Sequence, residues 1–173
     1  TDIIIEGIEV SGNAYGVLFA YTQYSVVEDA VISDNSVAGV RLHHSPYNGI
    51  SNNTISDNDW GVLLDASAET FMRGNVLAQN SYGVNCTGAE EDYVQDIDTS
   101  NVINSKPVYY LVDAVEAVVD ANSGAACVFA VNCRDLTISD LELSGNGSGI
   151  TLVNTTHSVI DNVICKRNNT AGI

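Results

Sequence analysis

Ser25-Val-Val-Glu-Asp-Ala-Val-Ile-Ser-Asp-Asn35-Ser-Val-Ala-Gly39-Val-Arg-Leu42 is followed by Asn48-Gly-Ile-Ser-Asn-Asn-Thr-Ile-Ser-Asp-Asn58-Asp-Trp-Gly61-Val-Leu-Leu64. The second stretch repeats the pattern of the first. Extending it in both directions gives Asn13, Asn35, Asn58, Asn80, Asn146 and Asn168, spaced 22 or 23 residues apart with one gap of 66. A glycine follows each: Gly16, Gly39, Gly61, Gly83, Gly149 and Gly172. A fixed period in this range is the mark of a stacked repeat, in which each unit buries its apolar face only against its neighbours. Since 66 is three times 22, the expectation is that the register is kept through the middle of the chain.

Within each unit apolar residues alternate, the period of a strand with one buried face. Four columns result. Ile5, Val27, Ile50, Met72, Ile138 and Ile160 form one, and Val10, Ile32, Ile55, Leu77, Leu143 and Cys165 a second. Val17, Val40, Val62, Val84, Ile150 and Ile173 form the third, and Phe19, Leu42, Leu64, Cys86 and Leu152 the fourth. Between them lie short breaks of Gly, Asn and Asp, the residues that tolerate left-handed backbone. Three strands and three turns per coil predict an all-β, parallel β-helix, and the handedness of parallel crossovers makes it right-handed. At about 22 residues per coil, 173 residues give seven to eight coils in a single domain over 1–173. Residues 90–134 break the tandem pattern and read as an irregular middle of elongated coils. The asparagine column reads as an architectural ladder, because a residue present in every coil serves the stack.

Twenty-two acids against six bases give a net charge of −16. Such a chain is repelled by nucleic acid and by anionic lipid. The partners left are cations, neutral sugars and other proteins. No run of apolar residues is long enough to span a membrane, and Thr1-Asp2-Ile3-Ile4-Ile5 has neither the basic segment nor the cleavage site of a signal peptide.

Outward positions after each glycine bring Arg41, His43 and Asp65 onto one face, with His43 and Asp65 one coil apart; they are the candidate catalytic residues. No second carboxylate at hydrolase separation accompanies Asp65. His43 and His44 point to opposite sides of a strand and His157 lies coils away, so the histidines give no metal set. Glu90, Glu91, Asp92, Asp96 and Asp98 form an acidic loop and are the candidate calcium ligands. Cys86 and Cys165 fall in inward columns, whereas Cys127 and Cys133 flank one strand and could be bridged only across a turn. Asn52, Asn85, Asn146, Asn154 and Asn168 lie in Asn-x-Ser/Thr sequons. Asn85, Asn154 and Asn52 are the candidate glycosylation sites, since Asn146 and Asn168 belong to the ladder. Tyr15, Tyr21, Tyr24, Tyr47, Trp60 and Tyr82 either cover turns or stack on sugar rings.

Asn104-Ser-Lys-Pro-Val-Tyr-Tyr-Leu111, Val131-Asn-Cys133, Ile138-Ser-Asp-Leu-Glu-Leu-Ser-Gly-Asn146 and Gly149-Ile-Thr-Leu-Val-Asn-Thr155 resemble the NosD-like parallel β-helix repeats, also known as the carbohydrate-binding and sugar-hydrolase group. The resemblance implies the fold and an extracellular or cell-surface setting of the archaeal type. The group mixes surface-layer proteins, adhesins, lyases and epimerases, so the site must carry the function. The chain starts and stops inside a coil, and solenoids need capping units. The expectation is therefore a non-catalytic building block of a surface layer, sheath or filament, associating end to end or laterally, without a cofactor other than calcium. The alternative is a polysaccharide-binding or polysaccharide-cleaving protein that uses the outward strand face.

Overall fold

The computed structural model describes residues 2–173. Among them there is no α-helix, and the chain forms a parallel β-solenoid of about seven turns. The first coils carry β1 (Ile4–Glu6), β2 (Glu9–Ser11), β3 (Tyr15–Ala20), β4 (Val26–Glu28), β5 (Val31–Ser33) and β6 (Ala38–His43). They continue with β7 (Gly49–Ser51), β8 (Thr54–Ser56), β9 (Trp60–Asp65), β10 (Phe71–Arg73), β11 (Val76–Ala78) and β12 (Tyr82–Thr87). Then come β13 (Asp96–Ile97), β14 (Val102–Ile103), β15 (Lys106–Val112), β16 (Val118–Val119) and β17 (Cys127–Val131). The last are β18 (Thr137–Ser139), β19 (Glu142–Ser144), β20 (Ile150–Val153), β21 (Val159–Asp161) and β22 (Ile164–Lys166).

Stacking follows the expected columns. In the third sheet, ordered β3-β6-β9-β12, Val17 pairs with Val40, Val40 with Val62 and Val62 with Val84. Their side chains, with Phe19, Leu42 and Leu64, face a core whose central residues are inaccessible to solvent. Left-handed turn positions are mostly Asp, Asn and Gly, among them Asp29, Asp34, Asn52, Asp57 and Gly74. These are the residues that pay least for that backbone.

The asparagine ladder is real. Asn13 N–H donates to Asn35 Oδ1 at 3.0 Å, Asn35 N–H to Asn58 Oδ1 at 2.9 Å, and Asn58 N–H to Asn80 Oδ1 at 2.9 Å. The glycine that follows lets the coils close on it: a Cβ at Gly39 would stand 2.4 Å from Ile55 and 3.0 Å from Asn58 Nδ2. Further ladders run beside it that the sequence reading missed. Ala30 N–H donates to Asn53 Oδ1, Asn53 N–H to Asn75 Oδ1, and Asn75 N–H to Asn101 Oδ1. Another runs from Thr22 N–H to Ser45 Oγ and from Ser45 N–H to Ser67 Oγ. Each satisfies turn amides that the solenoid removes from water.

The register does not run unbroken through residues 90–134. Within this irregular middle the chain reverses direction. Ile103 pairs with Lys106 across a two-residue hairpin, Asn104-Ser105, both at positive φ, so β15 runs antiparallel to β14. From β15 a parallel stack resumes, with Tyr110 beside Phe129 and Val131 beside Val153. Val131–Ile138 and Val153–Ile160 superpose as expected, since Ile138 also pairs with Ile160. Because β20 joins this second stack, Thr151 and Val153 do not share a face with Arg41. The ladder likewise splits into Asn13–Asn80 and a separate Asn146–Asn168 rung. Asn146 Oδ1 is buried without a hydrogen-bond partner among the described residues.

Every residue of β17 is buried. Cys127, Phe129 and Val131 pack in the first core, with Val17, Leu64 and Cys86. Val128 packs with Ile138, Leu143 and Ile150, and Ala130 with Cys133 and Leu136. Cys127 and Cys133 thus face different cores and are not bridged.

Asn53→Ala removes the amide that accepts from Ala30 N–H and donates to Val27 O at 3.0 Å and to Asn75 Oδ1 at 3.0 Å. Leaving those buried groups unpaired should cost about 3 kcal/mol, read as a lowered midpoint of chemical denaturation.

Candidate functional site

Strands β6, β9 and β12 turn alternate side chains outward, and the register sets which ones meet. Leu18, Arg41, Leu63 and Asn85 align in one outward column; Ala20, His43, Asp65 and Thr87 align in the next. Arg41, His43 and Asp65 therefore come together as the alternation predicted. Arg41 Nη2 donates to Asp65 Oδ2 at 3.0 Å, and His43 Nδ1 lies 2.6 Å from the same oxygen. Arg41 Nη1 donates to the Tyr15 hydroxyl at 2.9 Å, and Thr87 Oγ1 reaches Asp65 Oδ1 at 3.3 Å. Arg41 Nε is buried without a partner among the described residues.

Beside this cluster lies an open cleft of about 290 Å³ lined by Arg41, Trp60, Leu63, Asp65, Asn85 and Thr87. Trp60 forms one wall and packs on Tyr82, with ring centres 4.8 Å apart. Asn85 forms the other and lies against the turn of the second stack: a Cβ at Gly147 would stand 2.8 Å from Asn85 Oδ1. The cleft thus offers an indole, a carboxylate, a guanidinium, an amide and a hydroxyl within one strand length. It holds one carboxylate, so it lacks the acid and base pair of a glycoside hydrolase.

Burial pushes the Asp65 pKa up, but hydrogen bonds from His43 and Arg41, together with their charge, outweigh it and bring the carboxyl below its ordinary 3.8. Burial also pushes the Cys86 thiol up to about 11 and the Cys127 thiol up to about 12, which keeps both protonated and unreactive.

The other candidates are dispersed. Glu90, Glu91 and Asp92 lie in a 3-10 turn, Glu90–Tyr93, where Asp92 Oδ2 accepts from Ala89 N–H at 2.8 Å. Asp96 and Asp98 pair with Arg73 instead of converging with them. Asn52 and Asn154 are exposed at left-handed turn positions, while Asn85 is half-buried in the cleft wall. Asn154 Nδ2 donates to Asn132 Oδ1 at 3.0 Å.

The lowered pKa of Asp65 fixes a sign. Its contribution to stability is fully present above the unfolded value near 3.8 and is lost as pH falls through the lower folded value. The stability gap between the protein and its Asp65→Asn variant should therefore shrink as pH falls below 4, as measured by urea denaturation at each pH.

Residues 1–110 match a family model described as periplasmic copper-binding protein (NosD). No curated protein and no solved structure matches the chain at a significant level. The match ends inside β15, so it covers the first stack and stops short of most of the segments that carried the resemblance. The copper of the family's description does not fit the residues present. Among the described residues no three His, Cys, Asp or Glu side chains group so as to hold a metal. His43 Nδ1 is taken by Asp65, and His44 stacks on Tyr21. With the match covering 110 of its 173 residues, the chain belongs to the NosD family of β-helix proteins.

Proposed function

We propose that this chain is a non-catalytic, glycan-binding β-solenoid that works outside the cytoplasm. The observation that carries the reading is the cleft in which the Trp60 ring stands beside Arg41, Asp65, Asn85 and Thr87. An indole face takes the C–H face of a sugar ring, while carboxylate, amide and guanidinium groups take its hydroxyls. Asp65 Oδ1 has only the 3.3 Å contact to Thr87 and keeps acceptor capacity for such a hydroxyl. The net charge of −16 favours a neutral glycan over an acidic one. The family's description, periplasmic, supports this setting.

A second reading, a structural element of an extracellular assembly, is favoured by one surface. Val31 and Val76 stand 47% and 44% exposed on either side of exposed Thr54, making a flat uncharged stripe on the outer face of β5, β8 and β11. Such a stripe suits lateral packing of copies. Sedimentation velocity without glycan separates the two: a monomer at all concentrations fits binding alone, and concentration-dependent growth fits assembly.

On an array of neutral polysaccharides the protein should bind at least one class, and Trp60→Ala should lower that binding by tenfold or more, about 1.4 kcal/mol. Equal binding by Trp60→Ala, with unchanged thermal stability, would sink the reading.

A further inference from the structure

The turn that follows the third sheet carries aromatic residues where the backbone disfavours them. Tyr21, Tyr24, His44 and Tyr47 all have left-handed φ, at 54°, 54°, 47° and 60°. A bulky side chain at such a position costs energy, and elsewhere in this solenoid mostly Asp, Asn and Gly take it. Burial does not repay the cost: Tyr21 is 77% exposed, Tyr24 58% and Tyr47 48%. Nor does the fold demand rings, because the next coil places Ala66 and Glu69 at the equivalent left-handed positions. What the rings do is stack in pairs across adjacent coils. Tyr21 lies parallel to His44 at 5.3 Å, and Tyr24 parallel to Tyr47 at 5.4 Å. His43, whose Nδ1 is held by Asp65, sets its edge against Tyr21 and His44. The result is a solvent-facing aromatic ledge.

The ledge is continuous with the cleft. Trp60 pairs with Ala38 at the start of the strands, and Asp65 pairs with His43 at their end, so the ledge begins where the cleft's carboxylate lies. Six residues, Ala38–His43, separate the two aromatic patches, about 17 Å of extended strand. We infer that the ledge of Tyr21 and His44 is a second ring-stacking subsite, so that the protein takes an extended neutral oligosaccharide laid along β6 and β9 from Trp60 to His44. Strained residues that persist at an exposed surface are expected where they serve a ligand. The inference rests on the glycan reading of the cleft and adds to it a requirement for chain length.

The test uses the neutral glycan that gives the Trp60-dependent signal, size-fractionated into disaccharide and hexasaccharide and titrated by calorimetry against the protein and against a Tyr21→Asn/His44→Asn double variant. The hexasaccharide should bind at least tenfold more tightly than the disaccharide. The double variant should lose that advantage, bind the disaccharide as the parent does, and melt no lower than the parent, since Asn suits the left-handed turn. Equal affinity of the two sugars, or a double variant that keeps the hexasaccharide advantage, overturns the subsite while leaving the cleft intact. A lower melting temperature with unchanged hexasaccharide affinity shows the ledge to be packing alone. Absence of any Trp60-dependent glycan overturns the cleft and the subsite together.

Discussion

The molecule depends on one sheet that serves two cores. Alternate side chains of β17 enter different apolar clusters, so the five residues Cys127–Val131 are buried on both faces. Phe129 stacks on Tyr110 at 4.7 Å and closes the first stack, while Val128 packs under Ile138 and Ile150 in the second. Each face of a strand normally faces either a core or water, and here neither faces water. The antiparallel entry of β15 makes this possible, because reversing the strand direction at Asn104-Ser105 lets the chain wind onward with its new core on the other side.

That shared wall also shapes the site. The third sheet ends at β12, and the turn of the second stack at Asn146-Gly147 lies against Gly83 and Asn85. Asn85 is held there by close approach, since Gly147 leaves no room for a side chain. The cleft beside Trp60 thus has one wall from the repeating coil and another braced by the second stack. Side-chain ladders keep the coils in register, and register brings Arg41, His43 and Asp65 within hydrogen-bond distance. A slip of one residue would turn all three inward.

Alternation and period made the coil legible: the four apolar columns, the Asn13–Asn80 ladder and the meeting of His43 with Asp65 all follow from counting residues. The reversal was not legible. Asn104-Ser105 lacks the glycine that marks a two-residue hairpin, and a gap of 66 residues imitates three regular coils. The ladder through Asn53, Asn75 and Asn101 did leave a signal, at spacings of 22 and 26, but it was hidden in a chain rich in asparagine. In the site, the outward trio was readable from the strand period, whereas the braced wall at Asn85 depends on a contact between residues 62 apart and across two stacks. The strained ledge could not be read at all, because positive φ at tyrosine runs against residue preference.

The claim that one sheet serves both cores is tested most directly by unfolding the protein in denaturant with two local probes. Trp60, the single tryptophan, reports the first stack through its emission, and Cys133, buried in the second, reports through thiol labelling read by peptide mapping. The account predicts that both probes give one coincident transition, because neither core survives loss of β17. Two separated midpoints would contradict it and show that the stacks fold independently.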